Sequence, residues 1–319
     1  MELLYNPDAM SEAELKATFV GRESLLCDLL ELVRSQPDGA GVQHAVIIAP
    51  RGMGKTAVLQ RLRYMILESD LADIWLPLKF PEELYGVIDL ADFWLETLRL
   101  LAVGINEPEL GQKAQDLLGR FAKRADVTEA AFALLKDFRR NSGKRLLLQV
   151  ENLDSLLEVI AGEQDNARLR DTLMNDGTVM LVGSAVKFFK QARAYDQPLY
   201  NFFRIFDLNE LSFEESKQLL SLRGEQDGIT DFAETLQANN ARLHVLHHFT
   251  QGIPRLVLML YRVFTQSDVS AVPQALEKLL DEVTPYYKAR VEILPPQQRK
   301  LLEHVARAGE RRCQLGAYD

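Results

Sequence analysis

Apolar residues along this chain follow two alternating spacings. Short unbroken runs occur at 44–50 (HAVIIAP), 74–80 (IWLPLKF), 144–150 (KRLLLQV) and 178–185 (TVMLVGSA). Such runs mark strands buried on both faces. Residues 202–211 (FFRIFDLNEL) read as a fifth strand. Between these runs apolar residues recur every three or four positions, over 23–34, 57–69 and 89–103, where Leu90, Phe93, Trp94 and Leu98 share one face. Residues 109–140 are helical by composition. Strands alternating with helices predict an α/β fold of three layers around a mostly parallel five-stranded sheet.

The strand runs stop at Ser212. Glu215 follows three residues later, the spacing of a capping box, and short helical patterns continue to about Val283. A small all-helical domain is predicted over 213–292, after a core at 18–212 and an N-terminal segment at 1–17. Pro295 and Pro296 mark another boundary. Residues 296–309 read as one more helix, within an element at 293–319 too short to complete a domain. A chain of 319 residues suits two domains.

Composition narrows the function. With 47% hydrophobic and 26% charged residues, disorder is excluded as the main state. Against 46 acidic side chains stand 37 basic ones, a formal net charge of −9, which argues against a general electrostatic coat for nucleic acid. The cysteines, Cys27 and Cys313, lie far apart and fit a reducing cytoplasm better than a disulfide framework. No apolar run approaches the roughly 20 residues of a membrane span, and no secretory leader is visible. A cytoplasmic protein without a membrane partner is expected.

The sharpest chemical signal is APRGMGKT, residues 49–56, between a strand and a helix. Glycines let backbone N–H groups converge on phosphate, and the following helix points its positive end at the same anion. Lys55 would reach the outer phosphates and Thr56 would offer its hydroxyl to Mg²⁺. Lys55 is expected to stand exposed in an empty loop. Ala49 departs from the full P-loop pattern, which has glycine there. A metal carboxylate is expected at the end of a neighbouring strand, and RLLLQVENLDSL (145–156) supplies Glu151. The usual catalytic carboxylate one residue later is replaced by Asn152. Asp154, Glu82 and Glu83 are the other carboxylates that could serve.

With these motifs the chain resembles the AAA+ class of P-loop ATPases, in its replication-initiator-like and STAND-like branch. The resemblance spans roughly residues 18–262. It implies ATP and Mg²⁺, with Pro50, Arg51, Gly52, Met53, Gly54, Lys55, Thr56 and Ala57 around the phosphates and Thr56 and Glu151 at the metal. In FVGRESLL (19–26), Val20, Gly21 and Arg22 match the box that contacts adenine. MLVGSA (180–185) resembles the sensor 1 strand and places Ser184 near the γ-phosphate. QGIPR (251–255) resembles the opening of the sensor 2 helix, with Arg255 reaching back to the nucleotide. PLYNFFR (198–204) lies where relatives carry an arginine finger, which makes Arg204 its candidate. Glu151, Asn152, Ser184, Arg204 and Arg255 are thus the implied catalytic set. Plainer readings stand beside three of the residues named: Arg22 as a helix cap, Ser184 as loop polarity, Arg204 as a surface strand residue.

The expected function is an ATP-dependent switch with slow hydrolysis, in which nucleotide state biases a helical lid and assembly with other copies of itself or an effector protein. A non-hydrolysing ATP-dependent scaffold and a STAND-type signalling or defence NTPase are the alternatives. A small-molecule kinase shares the P-loop but needs neither the 19–26 box nor the G-x-P-R opening. Relatives often carry a winged-helix DNA-binding domain after the lid, and residues 296–309 resemble its first helix. That element is incomplete here, so DNA binding is not carried over. His244, His247 and His248 are expected to pack rather than bind metal. The basic run from Arg120 to Arg145 reads either as a solvated helix face or as a contact for DNA or an acidic partner.

Overall fold

The computed structural model of the chain describes residues 7–39, 41–160, 162–186, 202–266 and 294–315, with isolated positions between 281 and 292. Residues 198–201 of the finger segment and 267–280 of the expected lid lie outside the described residues. The chain divides into two compact units, Met1–Leu258 and Met259–Asp319.

The first unit is built on five strands: β1 (His44–Ile48), β2 (Trp75–Lys79), β3 (Arg145–Val150), β4 (Val179–Ala185) and β5 (Phe203–Asp207). They form one sheet in the order β2-β3-β4-β1-β5, and all four pairings are parallel. The expected α/β fold is therefore present, with a sheet that is wholly parallel. β5 ends at Asp207, four residues short of the predicted run.

Burial of the sheet explains why its strands read as unbroken apolar runs. Alternate residues feed two different cores: Leu146, Leu148 and Val150 of β3 enter one, and Leu147 enters the other. On the first face pack α4 (Leu90–Gly104), α5 (Pro108–Arg120) and α6 (Arg124–Ser142), with Trp94 and Leu98 fully buried. The helical stretch predicted at 109–140 is two helices, because Phe121 adopts an extended backbone and ends α5. On the second face pack α2 (Glu23–Arg34) and α3 (Lys55–Leu67), burying Leu29, Leu59 and Leu62. A short helix α1 (Glu12–Thr18), preceded by a 3₁₀ turn at Pro7–Ala9, opens the described chain. Helices α7 (Leu153–Val159) and α8 (Glu163–Asn175) lie between β3 and β4.

The helices after β5 are α9 (Phe213–Gln226), α10 (Phe232–Ala238), α11 (Asn240–Thr250) and α12 (Pro254–Gln266). Ser212 caps α9 as its spacing predicts: its hydroxyl accepts from Glu215 N at 3.2 Å, and the Glu215 carboxylate accepts from Ser212 N at 2.7 Å. Gly252 holds the turn before α12. Its φ is +71°, its carbonyl accepts from Leu211 N at 2.9 Å, and an added Cβ would lie 1.9 Å from Leu211 O. In the second unit α13 (Pro296–Leu315) exposes Leu301, Leu302 and Val305.

Candidate functional site

β1 delivers the glycine loop to the carboxyl edge of the sheet. Gly52 and Gly54 have φ of +85° and +91°, left-handed values that favour glycine, and Gly54 immediately precedes α3. Ala49 lies outside the left-handed region and is 2% exposed, its methyl packed in the core. The missing first glycine is thus explained: this backbone does not need one. Lys55 corrects an expectation. It is 9% exposed rather than open to solvent, and its ammonium donates to Ala49 O at 2.8 Å and Pro50 O at 2.9 Å. Those carbonyls hold the lysine folded onto its own loop.

Glu151 stands just past the end of β3 and is 5% exposed. Its Oε2 accepts from Thr56 Oγ1 at 2.5 Å, joining α3 to β3. Two residues earlier, the buried Gln149 donates from Nε2 to Leu59 O at 2.8 Å and fixes the same two elements against each other. The other oxygen, Oε1, lies 3.2 Å from Lys79 Nζ as an ion pair but makes no hydrogen bond. A hydroxyl and a buried carboxylate with a spare oxygen are hard ligands of the kind Mg²⁺ takes alongside phosphate. The donor set fits that ion. Asn152 follows in a left-handed conformation, φ +49°, and its Nδ2 lies 3.5 Å from Glu82 O. Asparagine tolerates this backbone better than most residues do, so its presence has a conformational reason beside any chemical one. Asp154 is buried on α7.

These groups share one cleft of about 420 Å³. Arg51 to Ala57, Glu151 and Asn152 line it, with Val20 and Arg22 from the 19–26 box and Arg255 from α12. Gly21 is not a wall of the cleft. Its φ is +70°, and an added Cβ would lie 2.5 Å from Glu215 Oε1. Arg22 shows no side-chain capping bond; its guanidinium donates to Asn209 O at 2.5 Å and Gly21 O at 3.1 Å. Burial holds its pKa below the ordinary arginine value, against the opposing pull of Glu215, Glu210 and Glu23. Arg255 donates its backbone N–H to Gly52 O at 3.1 Å. The Gly52 Cα makes room for it, since a Cβ there would sit 3.1 Å from Arg255 Cβ.

Several lining groups escaped the sequence reading, among them Arg223 and Leu219 of α9, Leu15 of α1, and Pro7 and Met10 before it. No local motif marks them, because they reach the cleft through packing of distant segments. Lys79, beside Glu151, was missed for the same reason, although a lysine ending an otherwise apolar strand is visible in the sequence.

Ser184 and Arg204 do not line the cleft. Ser184 is fully buried on β4, the strand between β1 and β3, and its Oγ has no hydrogen-bond partner. Arg204 is exposed on the edge strand β5, paired in register with Ala45, its guanidinium 5.1 Å from the Phe206 ring centroid. His244 stacks on Phe213 and His247 bonds Leu211 O through Nε2 at 3.1 Å, so both rings are used in packing. Much of the basic run is tied internally: Arg124 pairs with Asp89 and Asp92, Arg139 with Asp38, and Arg140 with Asp137. Arg145 is buried over Trp75.

The parallel sheet in this order, with the left-handed glycine loop at the end of β1, is the fold shared with AAA+ P-loop ATPases. Among solved structures the chain is similar to a Walker-type ATPase of Pyrococcus abyssi, at 14% identity and a TM-score of 0.55, covering 92% of this chain and 77% of that one. It is similar also to the ORC1 protein of Aeropyrum pernix, solved in complex with DNA, at 18% identity, TM-score 0.54, and coverage of 89% and 71%. The ADP form of the ORC2 protein of Aeropyrum pernix matches at 14% identity, TM-score 0.55, over 85% and 72% of the two chains. No protein-family model and no curated protein matches the chain. Among the described residues no helix is long and apolar enough to cross a membrane.

Proposed function

We propose that this chain binds Mg·ATP in the cleft between the glycine loop and the helices after β5, and works as a nucleotide-dependent switch with slow hydrolysis. The observation that carries the reading is the bond between Thr56 and the buried Glu151 beside the left-handed loop. Lys55 would exchange its two carbonyl bonds for phosphate oxygens, Thr56 and Glu151 would hold Mg²⁺, and the metal would neutralise charge on the phosphates. Arg51, Arg255 and Arg223 add positive charge to the walls. Slow turnover follows from Asn152, which orients a water but takes up no proton at neutral pH. Residues 213–292 serve as the lid, reached from the phosphates through the Gly52–Arg255 contact. Partners are other copies of the chain, with Arg204 acting across the interface, or an effector protein of unknown identity.

Calorimetry tests the binding. Wild type is expected to bind ATP with Mg²⁺, and Lys55→Ala to lose that binding; unchanged affinity in the variant refutes the site. The non-hydrolysing scaffold is favoured by the same Asn152, and a phosphate-release assay with and without DNA separates it from the slow ATPase.

A further inference from the structure

Glu151 is a buried carboxylate whose charge needs a balancing partner, since an isolated buried ion is strongly disfavoured. Thr56 supplies one hydrogen bond, and the balancing cation is Lys79, the last residue of β2, 11% exposed. β2 pairs with β3 so that Lys79 stands opposite Gln149, which brings its ammonium to the carboxyl end of β3. Nζ is 3.2 Å from Glu151 Oε1 without hydrogen-bond alignment. On its other side the same ammonium is hydrogen-bonded to Asp8, in the 3₁₀ turn at Pro7–Ala9. Asp8 is the better-aligned partner, and its neighbours Pro7 and Met10 line the nucleotide cleft.

We propose that Lys79 is an internal stand-in for the metal, shared between Glu151 and Asp8, and that it passes to Asp8 when Mg²⁺ arrives with nucleotide. This rests on the reading of the cleft as a Mg·ATP site. A divalent ion on Glu151 repels an ammonium a few ångströms away. Lysine carries a compact charge on a flexible stem, so it can shift without moving its strand. Asp8 gives it somewhere to go. Lys79 and Asp8 are therefore positioning residues, and the N-terminal turn is part of the metal machinery although no P-loop motif includes it.

The test is the Mg²⁺ concentration needed for half-maximal tightening of ATP-analogue binding, with thermal unfolding in Mg²⁺ as a second readout. Asp8→Asn leaves Lys79 bound to Glu151 and is expected to raise that concentration by about tenfold. Lys79→Met removes the competitor. It is expected to lower that concentration, to destabilise the metal-free protein, and to enlarge the rise in Tm on adding Mg²⁺ and analogue. Lys79→Arg keeps a cation and should stay nearer wild type. In the double variant Asp8→Asn/Lys79→Met the effect of Asp8→Asn should vanish, which a merely structural role for Asp8 would not produce. Nucleotide binding with the same Mg²⁺ dependence in all variants, or an undiminished Asp8→Asn effect in the double variant, overturns the proposal alone. A wild type that binds no nucleotide overturns the site reading as well.

Discussion

Single residues here carry two kinds of constraint. His44 shows the structural kind. Fully buried on β1, it accepts from Leu181 N at Nδ1 and contacts Leu173 O at Nε2, an arrangement that suits the neutral ring. Burial lowers its pKa to about 4, with Arg145 acting in the same direction and the Leu173 bond opposing. In the unfolded chain the ring takes up its proton near pH 6.5, so the unfolded state binds more protons between pH 6.5 and 4. Stability is therefore full above pH 6.5 and falls as the solution is acidified, by about 2 kcal/mol at pH 5. Denaturant unfolding at pH 8 and pH 5 should show this loss, and His44→Asn should remove the pH dependence whatever it does to the absolute stability.

Asn152 shows the mixed kind. Wild-type turnover is expected well below the usual enzyme range of about 1–10³ s⁻¹, and Asn152→Glu to raise it, while the left-handed backbone costs the glutamate about 1–2 kcal/mol of stability. Asn152→Gly relieves the backbone and removes the amide. It should keep Tm and lower the phosphate-release rate; an unchanged rate would mean that the amide holds no water.

At the scale of elements, the glycines separate into positions that need an open φ and positions that also need space. Gly54 has nothing within 4 Å of an added Cβ, so Gly54→Ala should lose only about 1–2 kcal/mol to backbone strain. Gly252→Ala meets both strain and Leu211 O, and is expected to lose at least about 2 kcal/mol or to release α12 from its place. Chemical denaturation of the two variants checks the order. Legibility in the sequence divides along a similar line. β1 to β4 were readable because burial on both faces demands unbroken apolar runs, and the glycine loop and the position of Glu151 because each lies in a short stretch beside a strand. The break at Phe121 was hidden by helix-forming residues on both sides. Asp8, Lys79 and Arg223 were hidden because their positions near Glu151 and the cleft arise only from contacts between segments far apart in the sequence.

At the scale of the whole molecule, the proposed assembly is read out through Arg204. Arg204 is exposed on the edge strand, so Arg204→Ala should fold normally. Light scattering with a slowly hydrolysed ATP analogue is expected to show self-association of the wild type and none of the variant. A monomer in both would favour a solitary switch over a ring-type assembly.

The contact between Gly52 and Arg255 has a consequence for how such a molecule is watched. Pro254 has no N–H to offer at the start of α12, and the Arg255 N–H finds its acceptor on the glycine loop. Any parting of that helix from the loop uncaps this one amide and opens it to exchange with solvent. Its deuterium uptake is thus a built-in clock of that parting, expected to slow if the proposed nucleotide clamps the two together, and readable at a single backbone position without any label.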